Sequence, residues 1–308
     1  MYGLSEWVNV WLYTYKRIML KPSTFDSYVC YSSHITCDVP LNELRLIDIQ
    51  KMINDMVLDG LKLSTIKHML VVVRQALKKA RALGMIDNLA CLDGLELPKS
   101  SSRKIVGLSD EHISLLLRSA PESFYGDFYK VLLYSGMRVG ELIALRWCDI
   151  DWFTGHIYIA HTDYQGALQT VKTQSGARSI PMYGELRDIL ERLHKRRGDP
   201  DKEERVFLGV RGRPVWYRSL LKSWNTFCKK YLNMSEPCGL HALRHTFAHS
   251  ALRAGVPVKV VSAWLGHANI QITIEAYDYI DRNDFRRAAE MLSELYSPKE
   301  YSGIKLIK

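Results

Sequence analysis

Apolar positions recur at helical spacing from the start of the chain. The segment LSEWVNVWLYTYKRIML reads as a first helix, ended by Lys21-Pro22-Ser23. Ser23-Thr24 can cap a second helix that runs through Phe25 and Tyr28 to about Ile35. Leu46 to Asp59 is a third amphipathic helix, closed by Gly60. A fourth helix is predicted from Ser64 to Leu83, with Ile66, Leu70, Val73 and Leu77 as its apolar stripe. Residues 97–106 (LPKSSSRKIV) combine proline, serines and basic residues and read as a linker between two domains. Beyond it, Leu108-Ser109-Asp110-Glu111 marks a helix start, and two further helices break at Ser135-Gly136. From Asp149 to Met182 the period changes. HIYIAH and RSIPM alternate or carry β-branched residues, which predicts two or three antiparallel strands. Helices resume from Tyr183. The expected architecture is mainly α with one small antiparallel β-sheet.

Composition sharpens this picture in three places. The chain has 308 residues, 47% of them hydrophobic, which suits two domains with real cores. No apolar run approaches the length of a membrane span, and the N-terminus lacks the marks of a signal peptide. Six cysteines at 30, 37, 91, 148, 228 and 238 form no C-x-x-C pair and match no zinc spacing, which points to reduced thiols in the cytoplasm. The net charge of +9 favours a polyanionic partner, and its distribution says more than its size. Between Lys62 and Ile86 there are six Lys/Arg residues and no acid. At about 100° per residue, Lys67, Arg74, Lys78 and Arg81 fall within a sector of about 60°. A solvated basic face would interleave Glu with Lys, so a phosphate-facing ridge is the better reading.

Four separated stretches hold the residue types that phosphoryl transfer needs. In LLYSGMRVGELIALRWCDID, Gly136 interrupts one helix and Arg138 opens the next, with Glu141 one turn on. In TVKTQSGARSIPM, Lys172 precedes a Gln-Ser-Gly turn between strands, where a lysine is more often a solvated charge. In GLHALRHTFAHSALRAG, His241 and Arg244 share one helix face while Leu243, Phe247 and Ala251 occupy the buried side; taken alone, such a His-x-x-Arg is more often a structural pair than a catalytic one. In WLGHANIQITIEAYDYI, Pro257 upstream opens a short helix and Gly266 ends it, His267 follows, and Tyr277 competes with Tyr279.

Taken in order, SGMRVGEL, KT-x-SG-x-R-x-IP, HALRHTFA and LGHANI-x-x-T-x-x-x-Y resemble the boxes of the tyrosine recombinase (phage integrase) family over nearly the whole chain. The resemblance implies a site-specific DNA recombinase that needs no metal and no cofactor. Tyr277 would attack the scissile phosphate and form a 3′-phosphotyrosine. Arg138 and Arg244 would clamp the non-bridging oxygens, His267 would add a hydrogen bond, His241 would accept the tyrosine proton and Lys172 would protonate the leaving oxygen. Glu141 would support this network. The interval from His267 favours Tyr277 over Tyr279 as nucleophile.

The same resemblance implies residues 1–96 as a helical core-binding domain, 107–297 as the catalytic domain, the two closing as a C-shaped clamp on DNA, and 298–308 as a tail. The partners implied are double-stranded DNA with core-type inverted repeats, a homotetramer on that DNA, and an accessory excision or host DNA-bending factor, at the nucleoid and not at a membrane. An arm-binding domain is expected to be absent. The helix carrying Ala289, Met291, Leu292 and Leu295 can dock on its own domain or on a neighbour. Multimer resolution of the Xer type, type IB topoisomerase activity and a silent DNA-binding factor are the competing readings.

Overall fold

A computed structural model describes residues 2–98, 107–171, 176–267 and 269–276. Lys172, Tyr277, Tyr279, the stretch 99–106 of the linker and the helix carrying Ala289, Met291, Leu292 and Leu295 lie outside the described residues. The chain divides into two compact units, Met1–Arg103 and Lys104–Lys308.

The first unit is helical: α1 (Leu4–Trp11), α2 (Pro22–Ser32), α3 (Leu46–Leu58) and α4 (Leu63–Ala82). After α1 the chain winds on as one π-helical stretch, Leu12–Lys16, where the Arg17 N–H reaches back five residues to the Leu12 carbonyl. The second helix does not start on a Ser23-Thr24 cap. Pro22 occupies the first turn, where its missing N–H costs nothing, and Lys21 is the flanking residue. The core of this unit forms around α4. Ile66, Met69, Val72, Val73, Ala76, Leu77 and Ala80 are all buried, a wider face than the expected four-residue stripe, and Leu70 is only partly covered. Ala76 is small enough to let Trp7 of α1 approach, and the Trp7 indole N–H donates to the Ala76 carbonyl at 2.9 Å inside the core. The remaining side of α4 carries Lys67, Arg74, Lys78 and Arg81, all exposed.

The second unit opens with α5 (Asp110–Ser119), whose Ser109 side chain accepts from the His112 N–H as a true cap. It continues through α6 (Gly126–Ser135) and α7 (Val139–Ala144). Among the described residues five short strands follow: β1 (Ile150–Asp151), β2 (His156–Ile159), β3 (His161–Tyr164), β4 (Ala167–Thr170) and β5 (Arg178–Pro181). They form two sheets rather than the single one expected. β1-β2-β5 is antiparallel and buries Ile150, Ile157, Ile159 and Ile180, while β3-β4 is a separate antiparallel hairpin. The hairpin buries no face of its own, and Arg205 holds it through an ion pair with Asp163 at 2.7 Å and a bond to the Gly166 carbonyl at 2.9 Å. The rest is helical: α8 (Gly184–Arg197), α9 (Tyr217–Tyr231), α10 (His241–Arg253), α11 (Val258–Leu265) and α12 (Ile270–Ala276). Phe128, Tyr129, Val131 and Leu132 of α6 are the centre of the core, packed against α8 and α10. Among the described residues, no helix is long and apolar enough to cross a membrane.

Candidate active site

Two of the helix ends that close on glycine in the second unit border one pocket. Gly136 after α6 (φ +63°) and Gly266 after α11 (φ +66°) take the left-handed conformation that closes a helix. At position 136 glycine is required twice over, because a Cβ there would lie 2.3 Å from Cδ1 of Phe247 on α10. Helix ends leave carbonyl groups without intrahelical partners, and here arginines fill them. Arg244, on the first turn of α10, donates from Nη1 to the Gly136 carbonyl at 2.9 Å and from Nη2 to the Leu265 carbonyl at 2.6 Å. Arg178 of β5 donates from Nε to the Trp264 carbonyl at 2.6 Å. Arg138 donates from Nη2 to the Gly266 carbonyl at 3.4 Å. Three successive residues at the end of α11 therefore hold three different guanidinium groups, at the pole of the helix where cations are favoured.

Glu141 ties the same arginines together from the other side. Its carboxylate accepts from the Arg138 backbone N–H at 2.8 Å and from Arg138 Nη1 at 2.8 Å. It also accepts from both terminal nitrogens of Arg178, at 2.9 and 2.7 Å. Burial alone would raise its pKa, but the Arg178 hydrogen bonds and the charges of Arg178 and Arg138 override it and hold the carboxyl below its usual range. Arg178 and Arg244 are buried, whereas 41% of the Arg138 side chain is exposed. The pocket thus presents Arg138 to solvent, backed by two fixed cations and a single carboxylate.

Two histidines border these arginines. Burial and the nearby cations push both His241 and His267 down to about 4, so both are neutral at pH 7. His241 stands at the start of α10 with its ring 5.0 Å from that of His245, nearly perpendicular. His245 is pushed down too, by burial first and then by Arg244. The Nδ1 of His267 lies 2.8 Å from the Thr273 hydroxyl on α12.

Among the predicted residues, the structure gathers Arg138, Glu141, Arg244, His241 and His267 in one place, all from the second unit. Lys67, Arg74, Lys78 and Arg81 form an exposed ridge on α4 of the first unit. Two features escape the sequence reading. Arg178 is quoted within the second box, but its bond to Glu141 spans 37 positions and leaves no local signal. The other is α9, whose fifteen residues (YRSLLKSWNTFCKKY) contain no acid. At about 100° per residue, its exposed Arg218, Lys222 and Lys229 fall within about 40° of one another. The acid-free window was visible in the sequence and is the signal that could have found it.

A profile described as "Phage integrase family" matches residues 110–283, more than half of the chain. A XerC-like tyrosine recombinase of Caldanaerobacter subterraneus subsp. tengcongensis is 26% identical over 95% of this chain and 83% of its own length. The transposase of transposon Tn916 from Enterococcus faecalis is 28% identical over 61% of this chain, which spans only half of that relative. Among solved structures, a Tn1549 transposon integrase in complex with a circular intermediate DNA superposes with a TM-score of 0.79 at 23% identity, covering 95% of this chain and 100% of that one. A λ integrase dimer bound to a core site gives 0.70 at 18% identity, covering 91% and 97%. At such identities the superpositions speak for the fold. With the profile match across the second unit, the chain belongs to the phage integrase family, the tyrosine recombinases.

Proposed function

We propose that this chain recombines DNA at specific sites through a covalent phosphotyrosine at Tyr277, and that the arginine pocket is where the scissile phosphate sits. The observation that carries this reading is the set of carbonyl-held guanidiniums: Arg244 and Arg178 fixed by helix ends, and Arg138 held in place but open to solvent. Charge that builds on the non-bridging oxygens during attack meets donors that need no reorganisation, which is where such sites gain most of their rate. Arg138 and Arg244 clamp the phosphate, and Glu141 with Arg178 positions Arg138. Neutral His241 has a lone pair to take the phenol proton. A bound phosphate anion offsets the arginine charges that depress it and so strengthens it as a base. Lys172 returns a proton to the leaving 5′-oxygen. The reaction exchanges one phosphodiester for another and asks for no outside energy source.

The ridge of Lys67, Arg74, Lys78 and Arg81 and the face of Arg218, Lys222 and Lys229 supply backbone contacts to duplex DNA, the first from a core-binding domain and the second from the catalytic domain. Assembly on inverted repeats is a tetramer of this chain, with an accessory factor setting direction. Integration and excision of a mobile element is the role favoured by the transposon relatives. The XerC-like relative, matched over most of both chains, supports multimer resolution as a second reading. Recombination of sites at the ends of an element distinguishes the first from the second.

The decisive experiment uses a nicked duplex carrying the site this protein selects from random DNA. Wild type and Tyr279→Phe should accumulate a covalent protein–DNA complex that survives denaturation, and Tyr277→Phe should form none. A dead Tyr279→Phe with an active Tyr277→Phe would sink the assignment. Arg138→Ala and Arg244→Ala should abolish the complex while retaining most duplex binding, because affinity is spread over many phosphates.

A further inference from the structure

His267 has a partner on the helix that leads towards the proposed nucleophile. Its Nδ1 is 2.8 Å from the hydroxyl oxygen of Thr273, a side chain with no exposed surface, and α12 packs against α11, the helix that ends just before His267. A neutral imidazole carries one N–H and one lone pair. The ring is neutral at physiological pH, since burial and Arg244, Arg138 and Arg178 hold it down to about 4. Its two nitrogens therefore do different work, and what faces each decides where the proton sits. A phosphodiester oxygen only accepts. Nδ1 is occupied by Thr273, which leaves Nε2 for the phosphate, and a lone pair at Nε2 would repel an anionic oxygen.

Building on the phosphate pocket proposed above, we infer that Thr273 is a positioning residue whose hydroxyl donates to His267 Nδ1 and so keeps the ring proton on Nε2, ready to donate to a non-bridging oxygen. A hydroxyl can give or receive, but with the proton on Nε2 it must give. The same logic governs histidines whose outer nitrogen is fixed by a second hydrogen bond. Thr273 precedes Tyr277 by four residues in the chain, so the group that sets the tautomer belongs to the segment that carries the nucleophile.

The test reads the tautomer directly. Full-length protein labelled with 15N-histidine is examined at pH 7.5 by long-range proton–nitrogen correlation, with the His267 signal assigned by its loss in His267→Gln. Wild type and Thr273→Ser should show the Nε2–H pattern. Thr273→Val should lose it, giving a mixture or the Nδ1–H form. Thr273→Ala is the second hydroxyl-free variant should the valine perturb the fold. An Nδ1–H pattern in the wild type, or an unchanged Nε2–H pattern without the hydroxyl, overturns the inference. Inorganic phosphate separately probes the pocket: it should shift the wild-type His267 signal, and an unmoved signal would count against the phosphate site itself, whichever tautomer is found.

Discussion

A buried carboxylate is tolerable only when its lone pairs meet donors, and Glu141 meets four, all from Arg138 and Arg178. Removing one partner of such a pair leaves a stranded charge, which typically costs about 3–5 kcal/mol. Arg178→Met, which keeps an unbranched apolar stem but not the charge, should lower the unfolding free energy read from urea denaturation by a corresponding amount, and a loss under about 1 kcal/mol would show that Glu141 finds other donors. Gly136→Ala should destabilise by two routes: about 1–2 kcal/mol from the left-handed backbone and about 1–3 kcal/mol from the clash with Phe247. Chemical denaturation of the variant checks the sum. Arg138 and Glu141 are legible in the sequence because three residues separate them on one helix start. Arg178 is not, because its partner is reached only once β5 is laid near α7.

Helices were easier to read than strands, for a physical reason. α4 and α11 each bury one stripe and end on signals that work locally, so their limits follow from periodicity, proline and glycine. β3 and β4 are half-covered on both faces or largely exposed, so no alternation reports them, and the hairpin depends on a distant Arg205. The cationic faces of α4 and α9 act as units. Each phosphate contact contributes about 0.9 to the slope of log affinity against log salt. Replacing Arg74 and Lys78 with Ala should therefore reduce that slope by about 2, and Arg218 with Lys222 by a similar amount, measured by fluorescence anisotropy on one duplex at several salt concentrations. An unchanged slope removes the helix concerned from the DNA interface.

At the scale of the whole molecule, the neutral histidines contribute to the response to acid. In the unfolded chain His241 and His267 titrate near 6.5, whereas in the fold both are held down to about 4. Between those values the unfolded state takes up protons that the folded state refuses, so these groups cost no stability above pH 6.5 and progressively more as pH falls to 4. The melting temperature of the free protein should drop across that window, and His267→Gln should flatten the drop; a parallel decline in the variant would place the acid sensitivity elsewhere.

The carbonyl cradle at the end of α11 has one more consequence. Had carboxylates restrained all three guanidiniums, an arriving phosphate would have to displace an anion before gaining anything. Glu141 offsets only one of the three charges, and the amide dipoles orient the guanidiniums without cancelling the rest, so the site keeps its pull on an anion while its geometry is already set.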